Sequence, residues 1–311
     1  MVYLYTFFLS MLVTLLATPL VIKLAYRVGA LDQPDNRKVH RKIMPRLGGG
    51  AIYIGFIISL IFFMDFNLQV LGIILGGTLI LILGAVDDIW GIPPLLKLKG
   101  QVVAALVVAA FGVRVNFLSN PFDGFIELGL LTIPFTVLWI VAITNAVNLI
   151  DGLDGLASGI STIALATFAV ISFFMGQPLV SLMALALVGS VLAFLKYNFF
   201  PARVFLGDSG SLFLGFNVAS LAVFGLLKGV TMVAFVIPII VLGVPLFDTL
   251  FAVVRRYLQR EPIFQADKEH IHHRLLKKGF SHRQVVVLIY LISLCFSASA
   301  LLMFKNLSIL P

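Results

Sequence analysis

Carboxylates and amides are concentrated in residues 145–155, between two apolar segments of the sequence. Asn148, Asp151 and Asp154 recur at three-residue spacing, and residues three apart share one face of a helical turn. The glycine that follows each aspartate leaves room for a ligand to approach the backbone. Two Asp-Gly turns that only cap helices are the structural alternative. Because polar groups at a membrane surface are costly unless they bind something, we interpret the segment as a binding or catalytic site.

Further acids and a lysine stand at the ends of other apolar segments. Asp87 and Asp88 end the third segment, where a helix macrodipole disfavours carboxylates and a bound cation would offset the cost. Lys97 and Gln101 follow and suit contact with phosphate oxygens, although Lys97 would equally anchor the helix at the membrane surface. Asp208 lies in a small-residue turn that suits phosphate and a hydrated cation, with a helix cap as the alternative. Hard oxygen ligands predict Mg²⁺ or Mn²⁺.

Basic and aromatic residues that suit anion and nucleotide binding lie in three loops. The sequence His-Ile-His-His-Arg-Leu at 270–275 offers donors to phosphate or sugar oxygens. A zinc site is less favoured there, because no cysteine or second histidine cluster would complete it. Arg46 precedes Leu-Gly-Gly-Gly, a turn that suits phosphate binding by backbone N–H groups. Phe205 would stack on a base or face lipid.

The composition is that of a polytopic membrane protein. The chain has 311 residues, of which 60% are hydrophobic and 12% charged, and its mean hydropathy is +1.10. A soluble domain carries about 25% charged residues. The apolar runs are long enough to cross the hydrocarbon as helices, and they lack the alternation of a transmembrane β-barrel. Since Cys295 is the only cysteine, no intrachain disulfide is expected.

We predict an all-α fold of about ten transmembrane helices in a single domain over residues 1–311. The helices are predicted near 3–24, 48–64, 68–86, 98–118, 132–147, 158–175, 179–196, 210–227, 231–254 and 284–304. In the ninth segment, Pro238 and Pro245 should bend the helix. Asp248, the one acid well inside an apolar span, should face the bundle or a cavity.

Charge distribution predicts the orientation of the chain. Of its 22 Lys and Arg residues, all but Arg114, Lys228 and Lys305 belong to one set of loops and their flanks. The positive-inside rule places that set in the cytoplasm and both termini outside. All five histidines fall on the cytoplasmic face, and so do five aspartates: Asp87, Asp88, Asp151, Asp154 and Asp208. The predicted location is the cell membrane, with the site facing the cytoplasm.

Together these groups indicate Mg²⁺-assisted transfer between two anionic groups at the membrane. Two phosphates repel each other, so the reaction needs a cation bridge and basic residues to hold them in line. A carboxylate near the acceptor can take a proton or position the nucleophile. An acceptor that stays in the bilayer would explain why the site is built on a helical membrane scaffold.

At these residues the chain resembles the polyprenyl-phosphate N-acetylhexosamine-1-phosphate transferases. The family includes the WecA/TagO and MraY branches and the eukaryotic dolichyl-phosphate GlcNAc-1-phosphate transferase. Its motifs match, in order, the first loop at 37–49, Asp87 and Asp88 followed by Lys97 and Gln101, the segment 145–155, the segment 205–210 and the segment 270–275. The resemblance implies that a polyprenyl phosphate attacks the β-phosphate of a UDP-sugar and releases UMP. Direct attack and a covalent aspartyl-phosphate route both stay open.

The resemblance also implies residue roles. The metal ligands would be Asp208 and Asn148. The catalytic residues would be Asp87, Asp88, Lys97, Asp151, Asp154 and His272, with Asp87 as the base for the lipid phosphate. The substrate-binding residues would be Arg46, Asn145, Phe205, His270, His273 and Arg274.

The His-Ile-His-His-Arg-Leu loop resembles the WecA/TagO branch, so UDP-GlcNAc is the first expected donor and undecaprenyl phosphate the acceptor. UDP-GalNAc and other N-acetylhexosamine donors stay open, as does a homodimer. We expect no nucleic-acid partner. One alternative is an MraY-type transferase that uses UDP-MurNAc-pentapeptide. The alternative from another class is a cation-coupled transporter, which would place ionisable groups at the membrane midplane and show paired repeats.

Overall fold

The computed structural model describes residues 1–33, 43–119, 125–226, 232–260 and 269–308. These residues form twelve α-helices and two short antiparallel hairpins. The helices are α1 (Val2–Val28), α2 (Gly48–Phe63), α3 (Leu68–Trp90), α4 (Pro94–Ala110), α5 (Thr132–Leu149), α6 (Leu156–Phe174), α7 (Pro178–Asn198), α8 (Gly207–Leu221), α9 (Met232–Val241), α10 (Gly243–Leu258), α11 (Ile271–Lys277) and α12 (His282–Ser308). The hairpins pair β1 (Leu31–Asp32) with β2 (Met44–Pro45), and β3 (Phe117–Ser119) with β4 (Phe125–Glu127).

Six helical segments in the described residues are long and apolar enough to cross a membrane. They are Val2–Val28, Leu68–Trp90, Gly129–Leu149, Leu156–Phe174, Pro178–Asn198 and His282–Asn306. Helix α2 is also apolar but shorter, at 16 residues. The prediction of an all-α polytopic membrane protein is therefore confirmed. The number of ten spans and the side of the termini stay predictions.

The fourth helix ends earlier than predicted. Its segment was expected over 98–118, but α4 ends at Ala110, and Gly112 turns the chain at a φ of +88°. Arg114 then folds back, and its Nε donates to the carbonyl oxygen of Ala109 at 2.6 Å. The residues after the turn continue into β3, so an apolar run that reads as one helix is divided between a helix and a hairpin.

The ninth predicted segment is divided as well. The chain breaks at Leu242, between α9 and α10. Pro238 lies inside α9, and Pro245 lies in the first turn of α10, where it cannot donate a backbone hydrogen bond. The predicted bend is thus confirmed as a break between two helices. The side chain of Asp248 on α10 is 8% exposed, as expected for an acid that avoids lipid in an apolar segment.

Helices α6, α7 and α8 form the centre of the core, where Phe168, Phe194, Phe213 and Phe216 are fully buried. Helix α8 packs against α2, α3 and α5. At one end of α8 the backbones approach each other closely, because glycines face the first turn. A Cβ at Gly84 of α3 would overlap the backbone of Ser209. These contacts fix the first turn of α8 among the ends of its neighbours.

Candidate active site

The first turn of α8 is capped by a carboxylate from α3. Asp88 Oδ1 accepts the N–H of Asp208 at 2.9 Å, and Oδ2 accepts the N–H of Ser209 at 3.0 Å. Arg46 Nε lies 3.4 Å from Asp88 Oδ1. Asp88 is only 5% exposed, and a negative group at a helix N-terminus is favoured by the macrodipole. Asp88 therefore fixes the position of the Asp208 backbone, from which the Asp208 side chain extends.

Lys97 joins a predicted catalytic acid to a predicted metal ligand. Its Nζ donates to Asp87 Oδ2 at 2.9 Å and also to Asp208 Oδ2. Asp87 Oδ1 accepts the N–H of Ile92 at 2.7 Å, which folds the chain after α3 and brings the first turn of α4 back to the site. A positive group thus lies between two carboxylates that would otherwise repel each other.

Two amides extend this cluster along α5. Asn148 Nδ2 lies 2.9 Å from Asp208 Oδ1 and 2.8 Å from Ser211 Oγ. One helical turn away, Asn145 exchanges hydrogen bonds with Gln101, which is 1% exposed. The Asn145 amide therefore ties α5 to α4 inside the bundle, while Asn148 contacts the acidic cluster.

A cleft of about 880 Å³ opens beside the cluster. Seven predicted site residues line it: Arg46, Asn148, Asp151, Asp154, Phe205, Asp208 and His273. Its volume falls in the range of sites that hold nucleotide-sized ligands. Burial disfavours the charge of Arg46, but Asp88 and then Asp208 raise the pKa of its guanidinium above the ordinary value. A fixed positive charge is therefore retained on the cleft wall.

Asp151 titrates unlike an exposed aspartate. Burial raises the pKa of its carboxyl to about 8, and the charges of Asp208 and Asp88 act in the same direction. A carboxyl with such a pKa holds a proton near neutral pH until a cation or a basic group approaches. A perturbed acid in a cleft is typical of a functional site.

Asp154 holds the part of the cleft wall that contains Ala202. Its Oδ2 accepts the N–H of Ala202 at 2.9 Å. Asn198 supports the same wall, since its Nδ2 donates to the carbonyl oxygen of Val204 at 3.0 Å and its Oδ1 accepts from Ser158 Oγ at 2.8 Å. The wall is thus held by side chains from the ends of α6 and α7.

Phe205 is held through its backbone. Its N–H donates to the carbonyl oxygen of Pro45 at 2.8 Å, and its carbonyl accepts the N–H of Gly48 at 3.2 Å. These bonds join the loop before α8 to the turn that leads into α2. The turn after Arg46 thus serves as a backbone partner of the cleft wall. The basic residues predicted at 37–42 lie outside the described residues.

The predicted histidines separate into different environments. His273 lines the cleft, whereas His272 is 1% exposed and lies against Gly152. A Cβ at Gly152 would overlap His272 Nε2. Neither ring nitrogen of His272 has a hydrogen-bond partner among the described residues. Burial, with a smaller contribution from His273, lowers the pKa of His272 to about 3, so this ring is neutral at physiological pH.

His270 and Arg274 do not line the cleft in the described residues. His270 Nδ1 lies 2.8 Å from Asp248 Oδ2. The guanidinium carbon of Arg274 lies 5.8 Å from the ring centre of Phe251 on α10. Both residues thus contact α10, and His273 is the member of the motif that faces the cleft.

Sequence reasoning missed several residues of the cleft. Arg203 and His282 line it, and the His282 ring stacks on Phe200 with the ring centres 4.5 Å apart. Asn198 was also missed, although a polar residue at the end of an apolar helix is a signal that could have found it. His282 carried no such signal, because in the sequence it is one of several basic residues that precede the last apolar segment.

The acidic cluster offers the oxygen ligands that Mg²⁺ prefers. Asp87 and Asp208 already share one cation, the Lys97 ammonium, and Asn148 adds an amide next to Asp208. Within the described ranges no three His, Cys, Asp or Glu side chains converge as a metal-ligand group. Two carboxylates and an amide are donors compatible with Mg²⁺, which binds through one or two carboxylates and completes its shell with water and substrate phosphate.

Comparison with known proteins gives consistent matches. The sequence pattern of glycosyl transferase family 4 matches residues 70–226. The chain is 48% identical, over 96% of its length and 84% of the relative, to a Bacillus subtilis protein named probable undecaprenyl-phosphate N-acetylglucosaminyl 1-phosphate transferase. It is 34% identical, over 90% of its length and 77% of the relative, to a decaprenyl-phosphate N-acetylglucosaminephosphotransferase of Mycobacterium tuberculosis. An Escherichia coli undecaprenyl-phosphate alpha-N-acetylglucosaminyl 1-phosphate transferase is 29% identical, over 86% of this chain and 75% of the relative.

Proposed function

Because the chain belongs to glycosyl transferase family 4, we propose that it transfers N-acetylglucosamine 1-phosphate from UDP-GlcNAc to undecaprenyl phosphate and releases UMP. This would be the first membrane step in the synthesis of a cell-envelope glycan. The observation that carries the proposal is the pair Asp87 and Asp208, joined by Lys97 beside a cleft of nucleotide size. The names of the relatives in Bacillus, Mycobacterium and Escherichia support the transferred N-acetylglucosamine phosphate and the lipid class.

In the proposed reaction, a phosphate oxygen of the lipid attacks the β-phosphorus of the donor. The bond from that phosphorus to the bridging oxygen of the α-phosphate breaks, and UMP leaves with the electron pair. Asp87 is assigned to the lipid phosphate, where it takes up a proton or orients the attacking oxygen. Lys97 and Arg46 neutralise the phosphates as they approach each other, which is the main requirement of phosphoryl transfer.

Mg²⁺ is proposed as the cofactor, with Mn²⁺ as a substitute. Asp208 and Asn148 would hold the ion, and Asn148 would turn its amide oxygen toward it. A cation held there would supply positive charge that offsets the negative charge of the substrate phosphates. Lys97 now bonds to Asp208 Oδ2, one of the two carboxylate oxygens that this residue could offer to a cation. Lys97 would then be released toward a substrate phosphate, as expected for a flexible point charge.

The site is proposed to face the cytoplasm, where soluble nucleotide sugars are made, on a chain that crosses the cell membrane ten times with both termini outside. The positive-inside count of basic residues supports this orientation. Asp151 and Phe205 are assigned to the uridine side of the cleft, and His273 to the phosphate and sugar. Asp154 contributes by holding the cleft wall through Ala202.

The test is UMP release by the purified protein in detergent with undecaprenyl phosphate and Mg²⁺. UDP-GlcNAc, UDP-GalNAc and UDP-MurNAc-pentapeptide are compared as donors. We expect release that depends on lipid and Mg²⁺ with UDP-GlcNAc. Release with only one of the other donors would refute the assigned sugar and retain the reaction. No release from folded protein with any donor would refute the reaction itself.

A further inference from the structure

Helix α11, which presents His273 to the cleft, begins on a carboxylate from another helix. Asp248 of α10 accepts the N–H of Ile271 through Oδ1 at 2.8 Å, and its Oδ2 lies 2.8 Å from His270 Nδ1. The residue before α11, His270, makes no side-chain cap of its own. Asp248 therefore caps the first turn of α11 and fixes the residue that precedes it.

The pair formed by Asp248 and His270 is nearly closed to water. The Asp248 side chain is 8% exposed and the His270 side chain 5% exposed. A buried carboxylate that loses its partners is strongly destabilised, so these groups hold each other in one arrangement. These hydrogen bonds therefore hold the start of α11 in a fixed position relative to α10.

Two further contacts keep α11 on the same face of α10. The Arg274 guanidinium lies over the Phe251 ring, and Arg255 Nη1 donates to the carbonyl oxygen of Glu269 at 3.2 Å. Asp248, Phe251 and Arg255 are three and four residues apart in turn, so they share one side of a helix. Helix α11 thus packs along one side of α10, and Asp248 is the buried residue at one end of this contact.

The other side of α11 reaches the loop between α5 and α6, because His272 packs on Gly152. His273 is next along α11 and lines the cleft together with Gly152. A displacement of α11 would therefore change two adjoining parts of the cleft wall. Asp248 itself does not line the cleft in the described residues.

We propose that Asp248 is a positioning residue for the sugar-nucleotide donor: it holds the first turn of α11 and thereby keeps His273 at the cleft wall. The inference rests on the proposed function for the identity of the donor. Asp248 acts through α11 and touches neither substrate. Its loss should weaken donor binding and leave use of the lipid acceptor nearly unchanged.

The variants are Asp248→Ala and Asp248→Asn, with Leu250→Ala on the exposed side of α10 as the matched control. In steady-state UMP release, Asp248→Ala should raise the donor KM about tenfold or more and change the lipid KM by less than about twofold. Asp248→Asn should recover most of the donor affinity, because its amide oxygen still accepts the Ile271 N–H. An unchanged donor KM, or equal rises in both KM values, would overturn the proposal.

A second measurement does not depend on catalysis. Hydrogen exchange of the full-length protein in detergent should become at least about fivefold faster over residues 271–277 in Asp248→Ala and stay unchanged in Leu250→Ala. Unchanged exchange in Asp248→Ala would show that Asp248 does not hold α11. A wild-type protein without transferase activity would refute the proposed function, and the exchange rates would still decide whether Asp248 fixes the helix.

Discussion

The His272 ring packs directly against Gly152. A side chain at residue 152 would overlap His272 Nε2, so only glycine admits the ring at this distance. The contact joins the Asp-Gly-Leu-Asp-Gly loop to α11, two segments more than a hundred residues apart in the sequence. From the sequence, we expected Gly152 to leave room for a ligand. In the structure, the absence of a side chain at this residue leaves room for His272 of the same chain.

This contact predicts the effect of Gly152→Ala. The added methyl group must displace the His272 ring and α11 with it, which moves His273 at the cleft wall. We expect the donor KM to rise about tenfold, with a loss of stability of about 1–3 kcal/mol from overpacking. Steady-state kinetics and thermal unfolding in detergent measure both effects. Gly50→Ala is the control, because its Cβ would meet nothing nearer than Val21 Cγ1 at 3.9 Å. Equal behaviour of the two variants would contradict the assigned role of Gly152.

Asp87→Asn and Asp208→Asn are expected to abolish turnover in protein that still folds. Each substitution keeps the side-chain shape and removes one of the two charges that Lys97 joins. Asp87→Asn would remove the proton acceptor for the lipid phosphate. Asp208→Asn would remove a proposed metal ligand. UMP release is the measurement, and size-exclusion chromatography with thermal unfolding checks the fold. A near-normal rate in either variant would show that its carboxylate has no part in the reaction.

Asp88→Ala should lower both stability and activity. The variant leaves the N–H groups of Asp208 and Ser209 without their carboxylate partner at the first turn of α8. Loss of such a cap costs about 1–3 kcal/mol. Because Asp208 moves with this turn, we also expect turnover to fall at least about tenfold. Thermal unfolding and UMP release test the two effects. Asp88→Ala protein with wild-type melting behaviour would contradict the capping role.

His272 predicts a specific dependence of stability on pH. Its pKa is lowered by burial to about 3 in the folded protein and is about 6.5 when exposed. Between these values the unfolded state binds one more proton, so folding stability falls as the pH falls from 6.5 toward 3. The slope from this group is at most about 1.4 kcal/mol per pH unit. Unfolding of His272→Gln compared with wild type isolates the contribution. If the difference between the two proteins did not change between pH 7 and 5, the ring would not be held neutral by burial.

The all-α membrane fold class followed from local sequence patterns. Apolar run lengths predicted the helices, and the structure brings three residues singled out from the sequence, Asp87, Asn148 and Asp208, into one cluster. The early end of α4 was not predictable from hydropathy, because a positive-φ glycine and a folded-back arginine leave the apolar run unbroken. Tertiary packing, not composition, decides such an ending.

The sequence could not predict the hydrogen-bond partner of each polar group. Asp88 and Asp208 were both predicted in the site, but the capping bonds between them span 120 residues and depend on how α3 meets α8. Asp154 was predicted as a catalytic residue, and its carboxylate accepts a hydrogen bond from the backbone of Ala202. Asp248 was expected to face the bundle or a cavity, and its side chain, 8% exposed, faces the start of α11; nothing local identified His270 as its partner.

The most direct test of the proposed reaction follows the β-phosphate. UDP-GlcNAc labelled with ³²P at that position is incubated with the purified protein, undecaprenyl phosphate and Mg²⁺, and the lipid and aqueous products are separated. Transfer of the sugar phosphate predicts that the label moves into the lipid in equal amount to the UMP released. Label that stays in released UDP while the sugar moves to the lipid would contradict the account, because the sugar would then be transferred without its phosphate.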